Sequence, residues 1–250
     1  MKVKKFEYSD KKKKPFYRFI AMIICWFNRP VEFLGMENLP EEPCVVVCNH
    51  AKARGPIMAE AYLPFKKRIW CDAPMFDKKE FSKYAYSAFW GGKVNFFKRF
   101  FVKLLAPLVA YVFKNTDAIP VYRDMRVVKT YKASVEELND GKNVFIFPEC
   151  PDEHNEIINK LNVYFVDVAR YYYKQTGKEL LFVPMYYGAT IRKAIIGKAV
   201  KFDATADIAD ERKRVTDELL DQTTHIAKQL PVHKVIPFNN VKKKHYKNSK

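Results

Sequence analysis

The stretch CVVVCNHAKARGP, residues 44–56, decides how this chain is read. A run of β-branched residues stops abruptly at Asn49 and His50, and Pro56, a residue suited to the first turn of a helix, follows shortly after. This is the pattern of a buried strand that delivers a histidine to the edge of a sheet. Strand ends that face helix N-termini are where α/β proteins gather ligands, because unpaired backbone N–H groups and the positive end of the helix dipole both point there. A lone histidine at a strand end is more often a hydrogen-bonded structural residue than a catalyst, so the neighbouring segments carry the decision. Residues 118–124 (AIPVYRD), 143–150 (NVFIFPEC) and 181–188 (LFVPMYYG) each read as a short apolar strand broken by a turn, the first two with a charged residue at the break. The expectation is that His50, Arg123 and Glu149 stand on successive strand ends and face one pocket.

Outward from these strands, the 250 residues, 48% of them hydrophobic, fit one α/β domain with a sizeable core better than two domains. The formal net charge of +17 implies a polyanionic partner: an anionic membrane leaflet, nucleic acid, or phosphate-bearing substrates with an acidic carrier protein. Five cysteines without a CxxC pair or clustered histidines argue against a disulfide framework and a structural zinc site, and point to a reducing compartment. Cys44 and Cys48, four apart in a strand, share one face and read as small buried hydrophobes. No metal and no cofactor are called for.

Lys2, Lys4, Lys5 and residues 11–14 precede FYRFIAMIICWF at 16–27, a run too short to span a bilayer. Lysines before an aromatic-rich amphipathic helix suit a segment lying in the headgroup layer, and a core-packing helix with a solvated basic tail fits equally. Residues 66–72 read as a strand, and residues 77–86 as a helix opened by Asp77 with Glu80 in the capping-box position. The segment FFKRFFVKLLAPLVAYVF, 96–113, is apolar with a cationic edge at Lys98, Arg99 and Lys103; it reads as an interfacial helix that Pro107 kinks or splits. Residues 127–138 form an amphipathic helix closed by 139–141, which makes a βαβ crossover from Arg123 to Glu149. Helical patterns at 161–175 and 211–230 complete the domain, and residues 242–250 read as a mobile basic tail. In the acidic loop 149–156, Asp152 and Glu153 stand beside His154, which reads as a surface residue.

The ordered set Asn49-His50, Val121-Tyr122-Arg123, Phe147-Pro148-Glu149 and Val183-Pro184 resembles the glycerolipid acyltransferase family, typified by the 1-acylglycerol-3-phosphate acyltransferases. The approach at 31–40, with Gly35 and Glu37-Asn38-Leu39-Pro40, is similar too, and the resemblance covers residues 30–205. It implies a single α/β domain with a mostly parallel mixed sheet flanked by helices at 30–235, preceded by a basic arm and amphipathic helix at 1–29 and followed by a basic tail at 236–250. It further implies a peripheral protein on the cytoplasmic face of a membrane, moving an acyl group from acyl-CoA or acyl carrier protein to a hydroxyl of a lysophospholipid in phospholipid biosynthesis. His50 would be the general base, Arg123 would hold the acceptor phosphate, and Asn49, Glu149 and Cys150 would contact substrate.

Two positions depart from that pattern. The family places an aspartate five positions after its histidine, where this chain has Gly55, and a glycine where it has Cys150. In serine proteases the loss of an orienting aspartate lowers turnover about ten-thousandfold, so Gly55 needs an explanation. Glu60 or Asp72 would back His50 from another direction; Cys150 would serve as a nucleophile activated by His50; or the chain binds lipid without turning it over, and an aspartate restored at 55 would revive it. Partners would be a membrane phospholipid or lysophospholipid, an anionic membrane surface and the acyl carrier. A nucleic-acid reading has no RNP motif or zinc spacing behind it and is set aside.

Overall fold

The continuous apolar run at 45–48 is buried on both faces because helices cover both sides of its sheet. The computed structural model describes residues 1, 4–7, 9, 14–27, 30–90, 95–150, 157–238 and 241–250, without the side chains of 88–90. Its strands are β1 (Glu32–Leu34), β2 (Val45–Cys48), β3 (Lys67–Asp72), β4 (Ala118–Val121), β5 (Asn143–Ile146), β6 (Leu181–Gly188), β7 (Lys193–Ile196) and β8 (Val200–Lys201). The helices are α1 (Pro15–Trp26), α2 (Arg54–Tyr62), α3 (Lys78–Trp90), α4 (Phe96–Lys114), α5 (Val127–Asn139), α6 (Asp167–Thr176) and α7 (Ile208–Gln229). The expectations for Lys2, Lys11, Lys12, Lys13, Asp152, Glu153 and His154 lie outside the described residues.

The sheet runs β1-β7-β6-β2-β5-β3-β4, with β8 beside β6. From β6 to β4 every pairing is parallel, while β7 and β8 join β6 antiparallel. This is the mostly parallel mixed sheet expected. Along β2 the side chains alternate between two cores: Val45 and Val47 pack with residues of α5, α6 and α7, and Cys44, Val46 and Cys48 pack with residues of α1 and α2. Burying each of these valines stabilises the fold by about 2 kcal/mol, which fixes the strand's register and hence where His50 emerges.

The helices at 77–86, 127–138 and 211–230 are all present, with boundaries shifted by a few residues. Asp77 Oδ1 caps α3 by accepting from the N–H groups of Lys79 and Glu80 at 2.7 and 3.0 Å. α4 is one helix from end to end, so Pro107 does not split it. The strands β1, β7 and β8 were not read from the sequence. The C-terminal tail is a larger correction. Instead of moving freely it lies against the domain, with Val235 N–H donating to Lys247 O at 2.9 Å, Ser249 N–H to His233 O at 2.9 Å, and Lys234 bridging to Asn248.

Candidate active site

Because β6, β2, β5, β3 and β4 are parallel, their C-terminal ends share one edge, and the segments that follow meet there in the order Tyr187, Asn49-His50, Glu149, Asp72, Arg123. Asn49 is buried, and both ends of its amide are engaged by one neighbour: Oδ1 accepts from Tyr187 N–H at 2.7 Å and Nδ2 donates to Tyr187 O at 3.3 Å. Its immediate task is to tie β2 to β6 where the chain turns, not to reach a substrate.

The His50 ring is held on three sides. Nδ1 lies 2.8 Å from the main-chain oxygen of Lys52, and the rings of Phe147 and Phe238 pack at centroid distances of 5.2 and 4.8 Å. A carbonyl oxygen only accepts, so Nδ1 carries the proton and Nε2 keeps its lone pair. Nε2 makes no hydrogen bond among the described residues. Burial holds the imidazole below its ordinary pKa, opposed in part by the Lys52 carbonyl and the charge of Asp72, so the neutral ring is favoured. A neutral imidazole with an open Nε2 is the form a general base requires.

Glu149 is the buried acid of the site. Its Oε2 accepts the main-chain N–H of His50 at 2.7 Å, and burial pushes its carboxyl up to about 7 although that bond pulls the other way. It therefore holds the backbone of His50, and the guanidinium of Arg123 goes elsewhere. Arg123 places Nε and Nη2 on Asp72 Oδ1 at 3.2 and 3.0 Å, and Tyr84 donates to Asp72 Oδ2 at 3.0 Å. Asp124, next to Arg123 in the chain, pairs with Arg126 at 2.8 Å. The Arg123 side chain is 81% exposed and open to an anion from solvent.

Neither carboxylate proposed to back His50 does so. Asp72 is occupied by Arg123 and Tyr84, and Glu60 sits at the other edge of the sheet, accepting from Tyr17 Oη at 2.7 Å and from Asp117 N–H at 3.1 Å. α2 runs back along the sheet, about 1.5 Å per residue, and carries Glu60 away from the histidine. Position 55 offers no room for a carboxylate: a Cβ on Gly55 would stand 2.2 Å from His50 O and 3.0 Å from Phe147 Cε1. An aspartate there cannot be restored without moving the loop. Cys150 is half-buried; its N–H donates to Lys160 O at 2.9 Å and no hydrogen bond joins its sulfur to His50 among the described residues. Nothing in this geometry favours the thiol as a nucleophile. Among the described residues no cluster of three or more His, Cys, Asp or Glu is placed to hold a metal ion.

A family model described as Acyltransferase matches residues 30–187, from the approach to β1 through the end of the Asn49 anchor. The chain belongs to the acyltransferase family. Among solved structures it is similar to the 1-acyl-sn-glycerophosphate (LPA) acyltransferase PlsC from Thermotoga maritima, at 14% identity and a TM-score of 0.49, over 86% of this chain and 79% of that one. No curated protein sequence matches the chain. In this acyltransferase three residues on or against the His50 turn escaped the sequence reading: Lys52, Phe238, and Tyr246, whose hydroxyl accepts from Lys52 Nζ at 3.1 Å. Lys52 meets the His50 ring through its main-chain oxygen, for which the sequence carries no signal. Val235, Ile236 and Phe238, an apolar cluster inside a basic tail, were the available sign that the tail is docked.

Proposed function

We propose that this acyltransferase moves a fatty acyl group from an acyl thioester, acyl-CoA or acyl carrier protein, to a hydroxyl of a lysophospholipid such as 1-acylglycerol-3-phosphate. The observation that carries the reading is the neutral His50, with Nδ1–H given to a carbonyl and Nε2 left open, at the parallel edge of a domain of this family. Nε2 takes the proton of the acceptor hydroxyl as its oxygen attacks the thioester carbon. The tetrahedral intermediate places its negative oxygen among the N–H groups of the turn leading into α2, then collapses to the ester, and the departing thiolate takes the proton from the imidazolium. Arg123 exchanges Asp72 for the acceptor phosphate, Glu149 keeps the His50 main chain in place, and Asn49 fixes the strand beneath. Cys150, beside Glu149, lines the acceptor's approach. The net charge of +17 favours the anionic donors.

The same reading places the protein on the surface of an anionic membrane at its cytoplasmic face. α4 exposes Phe96, Phe97, Phe100, Phe101 and Leu104, and α1 exposes Phe16, Phe19, Met22 and Trp26. Apolar side chains in such numbers on adjoining helices call for a lipid or protein cover. Lys78, Lys79, Lys83 and Lys103 border a mainly apolar groove of about 380 Å³ between α3 and α4, a cationic rim of the kind an anionic leaflet attracts. No helix among the described residues is long and apolar enough to cross a membrane.

The test is transfer by purified protein from acyl-CoA and acyl carrier protein to lysophosphatidate and other lysolipids, beside His50→Ala. Turnover in the wild type falling at least about 100-fold in the variant supports the reading. A second reading, lipid binding without turnover, draws on Gly55. It is upheld if vesicle binding is unaffected by His50→Ala while neither protein forms product.

A further inference from the structure

Gly55 leaves the histidine without the carboxylate that the family pattern assigns to it, and the steric closure at that position forbids one. The orienting bond is nevertheless made. His50 Nδ1 meets Lys52 O at 2.8 Å because the chain turns back on itself through two consecutive left-handed residues, Ala51 at φ 46° and Lys52 at φ 54°. Neither residue type favours that region, and each such conformation costs on the order of 1 kcal/mol. A turn of this kind persists only where its surroundings hold it. The hold comes from the far end of the chain: Lys52 Nζ donates to Tyr246 Oη at 3.1 Å and to Val241 O at 3.5 Å, and lies 5.4 Å over the Tyr246 ring.

That C-terminal strap is itself fastened. Lys234 Nζ donates to Tyr246 O at 3.1 Å, His233 and Ser249 are both buried and joined through their main chains, and Tyr186 Oη lies 2.9 Å from His233 Nε2. Phe238, at the start of the strap, packs its ring on His50. The strap therefore reaches the histidine twice, through a ring contact and through the lysine that follows it by two residues.

We propose that the main-chain carbonyl of Lys52 performs the orienting task of the missing aspartate, and that Tyr246 and the Lys52 ammonium are positioning residues that keep that carbonyl aimed at His50 Nδ1. The inference rests on His50 being the base. A carbonyl fixes the tautomer as a carboxylate does, but as a dipole without net charge it supports the imidazolium formed during transfer less strongly, so the acyltransferase keeps ring orientation with a smaller gain in basicity.

The experiment is nitrogen-resolved NMR of the histidine rings in the full chain, with His50→Ala to assign the signal, on wild type, Lys52→Met and Tyr246→Phe. Steady-state kinetics and thermal melts accompany it. The expected wild-type ring is the Nδ1–H tautomer. Both variants should populate the Nε2–H tautomer and lower kcat about tenfold, part of the roughly hundredfold or more that a well-placed base contributes, with KM within about twofold. An ester in place of the amide between residues 52 and 53, which weakens the acceptor without altering a side chain, should shift the tautomer in the same direction. An Nε2–H ring in the wild type overturns the carbonyl's role. Variants that melt lower while keeping the wild-type tautomer and kcat overturn the strap's. The ring signals answer these questions even if no acyl transfer is detected, an outcome that would defeat the proposed function instead.

Discussion

At the N-terminal edge of the sheet, Lys67, Arg68, Asp117, Glu137 and Lys142 form a network of opposite charges. Arg68 lies 2.9 Å from Glu137, Lys142 lies 2.8 Å from Glu137, and Asp117, fully buried, faces Lys67 at 3.7 Å and Arg68 at 4.0 Å. At the C-terminal edge of the same strands, His50 and Glu149 are held in the chain's turns by main-chain groups, a carbonyl on the ring and an N–H on the carboxylate. The first arrangement pairs opposite charges and serves stability. The second leaves titratable groups perturbed by burial, the condition for proton transfer near neutral pH. Substitutions of charged groups at the two edges should therefore separate: losses of stability at one, and losses of function or pH-dependent effects at the other.

The largest expected effect is at the N-terminal edge. Asp117→Ala leaves Lys67 and Arg68 without their buried anion, and breaking such a set costs about 3–5 kcal/mol. For a domain of this length that lowers the melting temperature by about 10 °C. Calorimetry checks the loss, and turnover per folded molecule should be retained. A variant that melts like the wild type would show the network to be idle.

Glu149→Gln acts with comparable size and opposite sign. Burial raises the carboxyl from 4.5 to about 7 in the folded chain, so between those values the native state holds a proton that the unfolded chain has released. Wild-type stability from this group is whole below about pH 4.5 and is lost as pH rises through about 7. The variant lacks that loss and should be the more stable at pH 8 by on the order of 3 kcal/mol, with the difference vanishing at pH 4. Denaturant titrations at the two pH values measure it. His50, whose pKa is depressed, contributes the reverse slope to both proteins and cancels in the difference.

Gly55→Ala tests the close approach of α2 to the His50 carbonyl. Its Cβ would stand 2.2 Å from that oxygen, so the backbone must shift at a cost of about 2 kcal/mol, and the Lys52 carbonyl should lose its aim. Both melting temperature and turnover should fall, and Gly55→Asp should be no better. Recovery of activity in the aspartate variant would mean that the loop yields easily.

What the sequence disclosed follows from the same contrast. β2, β5 and β6 were legible because two-sided burial leaves continuous apolar runs, and α5 and α7 because one-sided burial leaves a helical stripe. β1 and β8, of three and two residues, are too short to carry a period. His50, Arg123 and Glu149 did reach one sheet edge as the strand ends predicted. Their partners were not legible, since Glu149 bonds a main-chain N–H, His50 a main-chain carbonyl, and Arg123 an aspartate 51 residues away. Asp124, next to Arg123 in the chain, pairs with Arg126 instead.

The smallest effect on stability, and the sharpest contrast, comes from the two arginines. Arg68 and Arg123 make ion pairs of nearly equal length, 2.9 Å to Glu137 and 3.0 Å to Asp72, yet their side chains are 7% and 81% exposed. Water around Arg123 screens the pair and competes for its hydrogen bonds, so Arg123→Ala should change stability by less than about 0.5 kcal/mol, whereas Arg68→Ala should cost about 3 kcal/mol. If Arg123 receives the acceptor phosphate, its loss should raise KM for lysophosphatidate about tenfold, the worth of one charge-assisted contact, and leave KM for a monoacylglycerol unchanged. An equal change for both acceptors, or none for either, would remove Arg123 from the acceptor site and leave its bond to Asp72 a surface ion pair.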